Sequence, residues 1–474
     1  SFLCKVGLPY LTLNRKSNTL SGGETQRINI ATSIGSALVG SIYVLDEPSV
    51  GLHPEDTTKL ISILQNLRSI GNTVIIVEHD EDIIRSADQI IDLGPGAGIL
   101  GGEVVAQGSL NHIIKSKTIT AKYLQNQNEI PIPSKRRISN RKIVLKGCRE
   151  NNLKDINISF PLNSLVCVTG ISGSGKTTLV KKILYPALLQ SKGIYTTKPG
   201  QFSSISGNLD DISTIEFIDQ NPIGQSSRSN PVTYIKAYDD IRNLFAKQSA
   251  SKQFSFKPKH FSFNVDGGRC DDCKGEGTIK VEMQFMADIN LICETCKGKR
   301  FKKNVLQVTY QNKNIDDILK MTIDEGYNFF HENGQNKIAN KLKALIDVGM
   351  GYVNLGQSSS TLSGGEAQRI KLASFILKGQ SAAKTLFIFD EPTTGLHFHD
   401  IKKLLNSFNH LISYGHSIIV VEHNIELIKS SDYIVDLGPY GGIKGGELIF
   451  EGSPEKLVKN KKSLLTKFLK TKLG

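Results

Sequence analysis

Gly170-Ile171-Ser172-Gly173-Ser174-Gly175-Lys176-Thr177 matches the pattern GxxxxGK[ST] in full, a spacing suited to holding phosphates. Consecutive amides of a glycine-rich turn point at the anion, at the positive end of the helix that follows. Gly170, Ser172, Gly173 and Gly175 would form the cradle, and Lys176 would reach the β- and γ-phosphates. Thr177 would ligate Mg²⁺ through its hydroxyl, with Thr178 beside it at the helix start. Asp390 and Glu391 end the apolar run Leu386 to Phe389, where Asp390 would hold Mg²⁺ through water and Glu391 would orient the attacking water. His423 follows the run Ile418 to Val421 and would contact the γ-phosphate, while Gln220 would sense metal and nucleotide. Phosphoryl transfer needs mainly positioning and charge neutralisation, and this set supplies both for ATP.

A second chemistry belongs to the cysteines. Cys270-x2-Cys273 and, nineteen residues further, Cys293-x2-Cys296 form two knuckles able to present four thiolates to one tetrahedral Zn²⁺. A redox CxxC would need one pair and a thioredoxin-like setting. Between the pairs, Thr278 to Ile292 alternates as a hairpin does. After them, Lys297, Lys299, Arg300, Lys302 and Lys303 surround Phe301, a cluster suited to gripping phosphates or to lining a solvated edge. Cys4, Cys148 and Cys167 are isolated, and nothing suggests a secreted disulfide framework.

These residues sit in a repeat. Leu20-Ser21-Gly22-Gly23-Glu24 returns as Leu362-Ser363-Gly364-Gly365-Glu366, 342 residues later. Asp46-Glu47, Glu78-His79 and Asp92 to Pro95 return as Asp390-Glu391, Glu422-His423 and Asp436 to Pro439, each 344 residues later. A period this long is a duplicated domain. Ser21, Gly22 and Gly23, like Ser363, Gly364 and Gly365, place a hydroxyl and amides at a helix N-terminus, an anion site. The set resembles ABC-type ATPases, in which the signature of one domain closes over the nucleotide held by the other. That resemblance implies that Lys176 pairs with the signature at Ser21. It also implies that Ser363 to Gly365, with catalytic Glu47 and His79, serve a second site whose phosphate loop is not in this sequence. Only nineteen residues precede Leu20, and the first is Ser1, so the sequence reads as the back part of a longer chain cut inside its first ATPase domain.

The elements that must position these groups alternate as in α/β domains. Helical spacing runs over Glu24 to Leu38 and Thr57 to Leu67. Ile42 to Leu45 and Thr73 to Val77 read as buried parallel strands. Leu165 to Val168 is a strand feeding the phosphate loop, and Thr178 to Leu189 is the helix after it. The fold class is thus α/β, with one partial and one complete P-loop ATPase domain and an inserted zinc module. Residues 1–124 form the end of the first domain and 125–142 a polar, proline-containing linker. Residues 143–225 are the second ATP-binding core, 226–360 the insertion and 361–474 the signature-bearing part, whose lysine-rich tail has the spacing of a surface helix.

Composition narrows the partners. The net charge is +13 with a pI of about 9.2, which suits a polyanion such as nucleic acid, although a lysine-rich proteome gives the same balance. No apolar run approaches the ~20 residues that span a bilayer, so no membrane span is expected in this chain, although an ATPase serving a separate membrane chain would look the same.

Together these pieces resemble the UvrA family, the damage-sensing ATPase subunit of the bacterial excision nuclease. The residues that carry it are LSGGETQRINIA from Leu20, LDEPSVGLH from Leu45, GCRENNL from Gly147, VTGISGSGK from Val168, DQNPIGQSSRSNPVTY from Asp219 and DEPTTGLHFHD from Asp390. The zinc knuckles inside the second ATPase domain are a hallmark of the family. The resemblance implies ATP, Mg²⁺ and Zn²⁺, a cytoplasmic homodimer, binding to damaged or distorted duplex DNA, and ATP-dependent loading of UvrB. Three alternatives stay open: a relative serving resistance to DNA-binding drugs, an ABC ATPase driving a membrane partner, and a DNA-binding protein with an inactive ATPase. The last is disfavoured by the presence of Lys176, Gln220, Glu391 and His423.

Overall fold

The computed structural model describes all residues except 1, 9, 18–21, 36–38, 126, 128–129, 222, 225–228, 284–288, 379–382 and 474. The chain forms two compact units, the first from residues 1–95, 101–219 and 381–474, the second from 96–100 and 220–380.

The first unit is built on a six-stranded sheet. Its order is Glu447–Gly452, Tyr433–Gly438, Leu165–Gly170, Ser417–Val421, Thr385–Asp390 and Thr214–Ile218, parallel except for the first strand. Leu165–Gly170 and Ser417–Val421 are buried at every position, as apolar runs in a parallel sheet covered on both faces must be. Val166, Val168, Ile388 and Ile419 pack with Leu179, Ile183 and Leu184 of the helix after the phosphate loop. That helix has wide i→i+5 turns over Thr178–Leu184 and continues as an α-helix over Tyr185–Ser191, past the expected end. Pro186 has no N–H to offer Lys182, whose carbonyl instead accepts the Gly200 amide at 2.8 Å.

The first repeat supplies the parallel pair Ile42–Asp46 and Thr73–Val77 and the antiparallel pair Ile90–Gly94 and Glu103–Gly108. The register shift at Asp92/Leu93 reappears at Asp436/Leu437, so the duplication extends to an irregularity of the sheet. The first-repeat strands are not buried as expected. Ile42, Val44, Ile75 and Val77 are exposed, because among the described residues these two strands pair only with each other. A local apolar run does not reveal how many neighbours its strand will have. The helix Pro54–Ser69 does bury Leu60, Ile63, Leu64 and Leu67 at helical spacing.

Two segments are more firmly held than the sequence suggested. In the stretch read as a linker, Arg136 donates to Glu455 at 2.7 and 2.9 Å and to the Ser431 carbonyl at 3.0 Å. The tail helix, Thr466–Leu473, lies at the surface as expected but is anchored on one face: Leu469, like Leu465 just before the helix, is fully buried. Lys472 pairs with Glu81 at 2.8 Å and Glu426 at 3.4 Å.

The second unit is mainly helical. Ile323–Glu332 starts with a reciprocal cap between Thr322 and Glu325, and Phe330 buries against a core that includes Leu342 and Leu345. The cysteine module carries the antiparallel hairpin Thr278–Val281 and Ile289–Ile292. Among the described residues, no helix is long and apolar enough to cross a membrane.

Candidate nucleotide site and cysteine centre

The phosphate loop follows directly from the buried strand Leu165–Gly170. Lys176 is almost fully buried, and its Nζ donates to the carbonyls of Gly170 and Ile171, both at 2.9 Å. Burial pulls its pKa down to about 8, opposed by Glu391, Asp56, Asp436 and Asp390. The ammonium is thus held by the loop's own carbonyls and faces carboxylates from several elements. Ser172 is buried, Thr177 precedes the helix, and buried Thr178 accepts from the Asn151 side-chain amide at 3.1 Å. Gly173 leaves room for an aromatic ring: a Cβ there would lie 2.8 Å from Tyr10.

Tyr10 was not read from the sequence. Its hydroxyl donates to Glu24 Oε1 at 2.9 Å, on the helix Gly22–Gly35 opened by the first signature. Gly22 and Gly23 begin that helix; Ser21 lies outside the described residues. Arg15 also pairs with Glu24, at 3.3 Å. One tyrosine therefore touches both the phosphate loop of the second repeat and Glu24 on the signature helix of the first.

Asp390 and Glu391 stand at the end of Thr385–Asp390. Glu391 has φ +48°, and its counterpart Glu47 has φ +44°. Left-handed backbone is costly for a glutamate and is kept where surrounding contacts impose it. Burial, then Asp390 and Glu422, push the Glu391 carboxyl up to about 7. Burial also raises Asp390, against Lys181 and Lys176. His423 Nε2 lies 4.0 Å from Glu391, and His79 Nε2 lies 3.9 Å from Glu47. Burial drives His423 well below the ordinary histidine range, with Lys176 adding to the effect. All four groups line one cavity of about 220 Å³.

Each histidine is seated by the glutamate before it. Glu422 accepts the amides of Thr393, His423 and Asn424, at 2.9, 2.5 and 2.9 Å, and also the Thr393 hydroxyl. Glu78 repeats the pattern with the amides of Ser49, His79 and Asp80, at 2.8, 2.7 and 3.0 Å. The loops also cross. A Cβ on Gly51 would lie 3.1 Å from the Glu391 carboxylate, and one on Gly395 would lie 3.2 Å from that of Glu47.

Gln220 and the second signature belong to the second unit. The Ser363 hydroxyl accepts the Glu366 amide at 3.2 Å, and Glu366 accepts the Ser363 amide at 2.8 Å, a capping box at the head of Gly364–Lys378. Gln220 lies against Gly364, where a Cβ would meet its side chain at 3.0 Å, and Gly365 is buried in the same turn. Tyr352 donates to Glu366 at 2.5 Å, repeating Tyr10 and Glu24. The repeat offset of 342 residues, applied to Tyr10, would have found both tyrosines.

Cys270, Cys273, Cys293 and Cys296 converge with buried sulfurs all within 4.8 Å of one another. Cys270 and Cys293 Sγ are 3.9 Å apart, and Cys273 and Cys296 Sγ are 3.6 Å apart. A tetrahedron with Zn–S bonds of ~2.3 Å has edges of about 3.8 Å, so the four thiols fit that ion. The basic cluster beside them is only partly available to a polyanion. Phe301 is buried against Phe263, so it offers no stacking face. Arg300 is spent on the Gly356 carbonyl and on the Phe263 ring, and Lys302 on Asp271. Lys297, Lys299 and Lys303 remain exposed.

No family model matches the chain. It is 52% identical over 472 residues to UvrABC system protein A of Staphylococcus epidermidis, covering 99% of this chain and 50% of that protein. It is 52% identical over 460 residues to UvrABC system protein A of Thermus thermophilus, covering 96% and 48%. The chain therefore spans about half the length of the curated relatives it matches. Among solved structures it is similar to UvrA2 from Deinococcus radiodurans, with a TM-score of 0.93 and 40% identity over 100% of this chain and 57% of that one. A ribosome-bound archaeal Pelota and ABCE1 model shares the fold alone, at TM-score 0.53 and 18% identity.

Proposed function

We propose, for a chain that belongs to the UvrA family, that the whole protein is the damage-recognition ATPase of bacterial nucleotide excision repair. It binds distorted duplex DNA as a homodimer in the cytoplasm and loads UvrB at the expense of ATP; incision is left to its partners. The observation that carries this reading is the similarity along 99% of the chain together with an intact set of Lys176, Asp390, Glu391 and His423 in the first unit.

In this reading Lys176 and the loop amides hold the phosphates of ATP. Mg²⁺, held by Thr177 and Asp390, neutralises phosphate charge when bound. Glu391 orients the attacking water, and His423 touches the γ-phosphate. Glu47 and His79 repeat the last two roles in the second site. The first signature covers the nucleotide at Lys176, and Gln220 relays its state to the insertion that follows. The four cysteines hold a structural Zn²⁺ that fixes the base of the hairpin. Turnover of MgATP by the full-length protein, measured with no DNA, intact duplex and adducted duplex, tests the assignment. Damaged duplex should change the rate more than intact duplex does. Turnover indifferent to all DNA would return the choice to an ATPase that drives some other partner.

A further inference from the structure

One three-ring arrangement occurs twice in the first unit. His53 stands edge-on to His423, with centroids 6.2 Å apart and planes at 87°, and edge-on to Phe468 at 6.3 Å and 87°. His397 stands edge-on to His79 at 6.1 Å and 83°, and to Tyr123 at 5.7 Å and 87°. Each central histidine comes from the opposite repeat to its two neighbours: His53 from the first, His423 and Phe468 from the second, and the reverse for the other trio. Both follow the same Gly-Leu step, whose glycine lies against the other repeat's glutamate.

The central rings are fixed in orientation. His53 and His397 each cap a helix, their Nδ1 atoms accepting amides at 3.2 and 3.3 Å, which leaves the proton on Nε2. His423 is not fixed by polar contacts in this way: its Nδ1 is buried with no hydrogen-bond partner among the described residues. With Nε2 only 4.0 Å from Glu391 and Nδ1 unpartnered, its ring plane rests largely on packing, and the His53 edge supplies part of that packing from the other repeat.

We propose that His53 and His397 are cross-repeat positioning residues, each wedged between the histidine that faces the nucleotide and an aromatic near the end of that same repeat. His423 then keeps its working orientation only while the Gly51-Leu52-His53 loop is docked, and His79 only while Gly395-Leu396-His397 is docked. Each ATP site thereby depends on the other repeat through one ring. The inference rests on the ATPase reading above.

The test is steady-state hydrolysis of MgATP by the full-length protein carrying His53→Ala with His397→Ala. The kcat should fall about ten-fold while KM stays within about two-fold, the signature of lost transition-state positioning rather than lost binding. Phe468→Leu with Tyr123→Leu, which keeps apolar volume without a ring edge, should lower kcat in the same way. The exchange Phe468→Tyr with Tyr123→Phe, which keeps the edges, should retain at least about half of it. The alanine pair or the leucine pair at full kcat, a loss confined to KM, or an exchange as damaging as leucine overturns the proposal. Lys176→Ala serves as the reference, because unchanged turnover there would sink the ATP-site assignment itself, a different failure.

Discussion

Lys176 is the residue on which the chemistry turns. It is buried, bonded to loop carbonyls and attracted by carboxylates of several elements, so an apolar replacement removes a cation those groups share with Lys181, Arg27 and Lys59. Lys176→Ala in the full-length protein should reduce single-turnover hydrolysis at this site at least about 100-fold; quench-flow with labelled ATP would show it, and a rate within a few-fold of wild type would contradict it. Glu391→Gln should separate binding from hydrolysis. The amide keeps the shape but orients water poorly and accepts no proton, so ATP should stay bound and uncleaved, as filter-retention with ATP would reveal; normal release of ADP would move the water-orienting role elsewhere. These residues were legible because their spacing is local: a loop of eight residues, or two acids at a strand end. Tyr10 was not, nor were the roles of His53, Glu78 and Glu422, because their partners are set by loop geometry and tertiary contact that local spacing does not show. The duplication contained the signal, since Tyr352, His397 and Glu422 stand at the repeat offset from Tyr10, His53 and Glu78.

Among the elements, the cysteine module and the second strand of the large sheet carry separable predictions. Cys273→Ser removes one thiolate from a set whose other sulfurs lie within 4.8 Å. Zinc content of the full-length variant should fall from about one ion per module towards zero, and its thermal midpoint should drop by about 5–10 °C. Metal analysis after dialysis checks the first and calorimetry the second; full occupancy would contradict the four-thiolate centre. At the sheet bulge, the Asp436 carboxyl is pushed up to about 6 by burial, although Ser463 donates to it at 2.5 Å. The folded state holds that proton more tightly than the unfolded chain does. Stability is therefore lost as pH rises from about 4 through about 6, by roughly 3 kcal/mol for this group. Asp436→Asn does not titrate, so its stability relative to wild type should improve across that window; a difference independent of pH would refute the burial account. The hairpin, the cysteine centre and the helix Pro54–Ser69 matched their sequence patterns, because alternation, knuckle spacing and amphipathic period are properties of one segment. The exposure of Ile42–Asp46 and the buried Leu469 of the tail did not, because each depends on which other segments pack against them.

For the whole molecule, the duplication explains more than the motifs taken singly. The register shift, the positive-φ glutamates, the glutamate-seated histidines and the three-ring trios all occur twice, about 344 residues apart. Such agreement at the level of irregularities follows from two copies of one ATPase half facing each other across a shared cavity in the first unit. The net charge of +13 suits the proposed DNA partner, and affinity for it should fall as salt rises. Damage recognition by the whole protein is best checked by binding. The full-length protein would be titrated against one duplex with and without a bulky adduct, at fixed salt and with ATP. A damage sensor should bind the adducted duplex about ten-fold or more tighter, and equal affinity for the two duplexes would overturn that role.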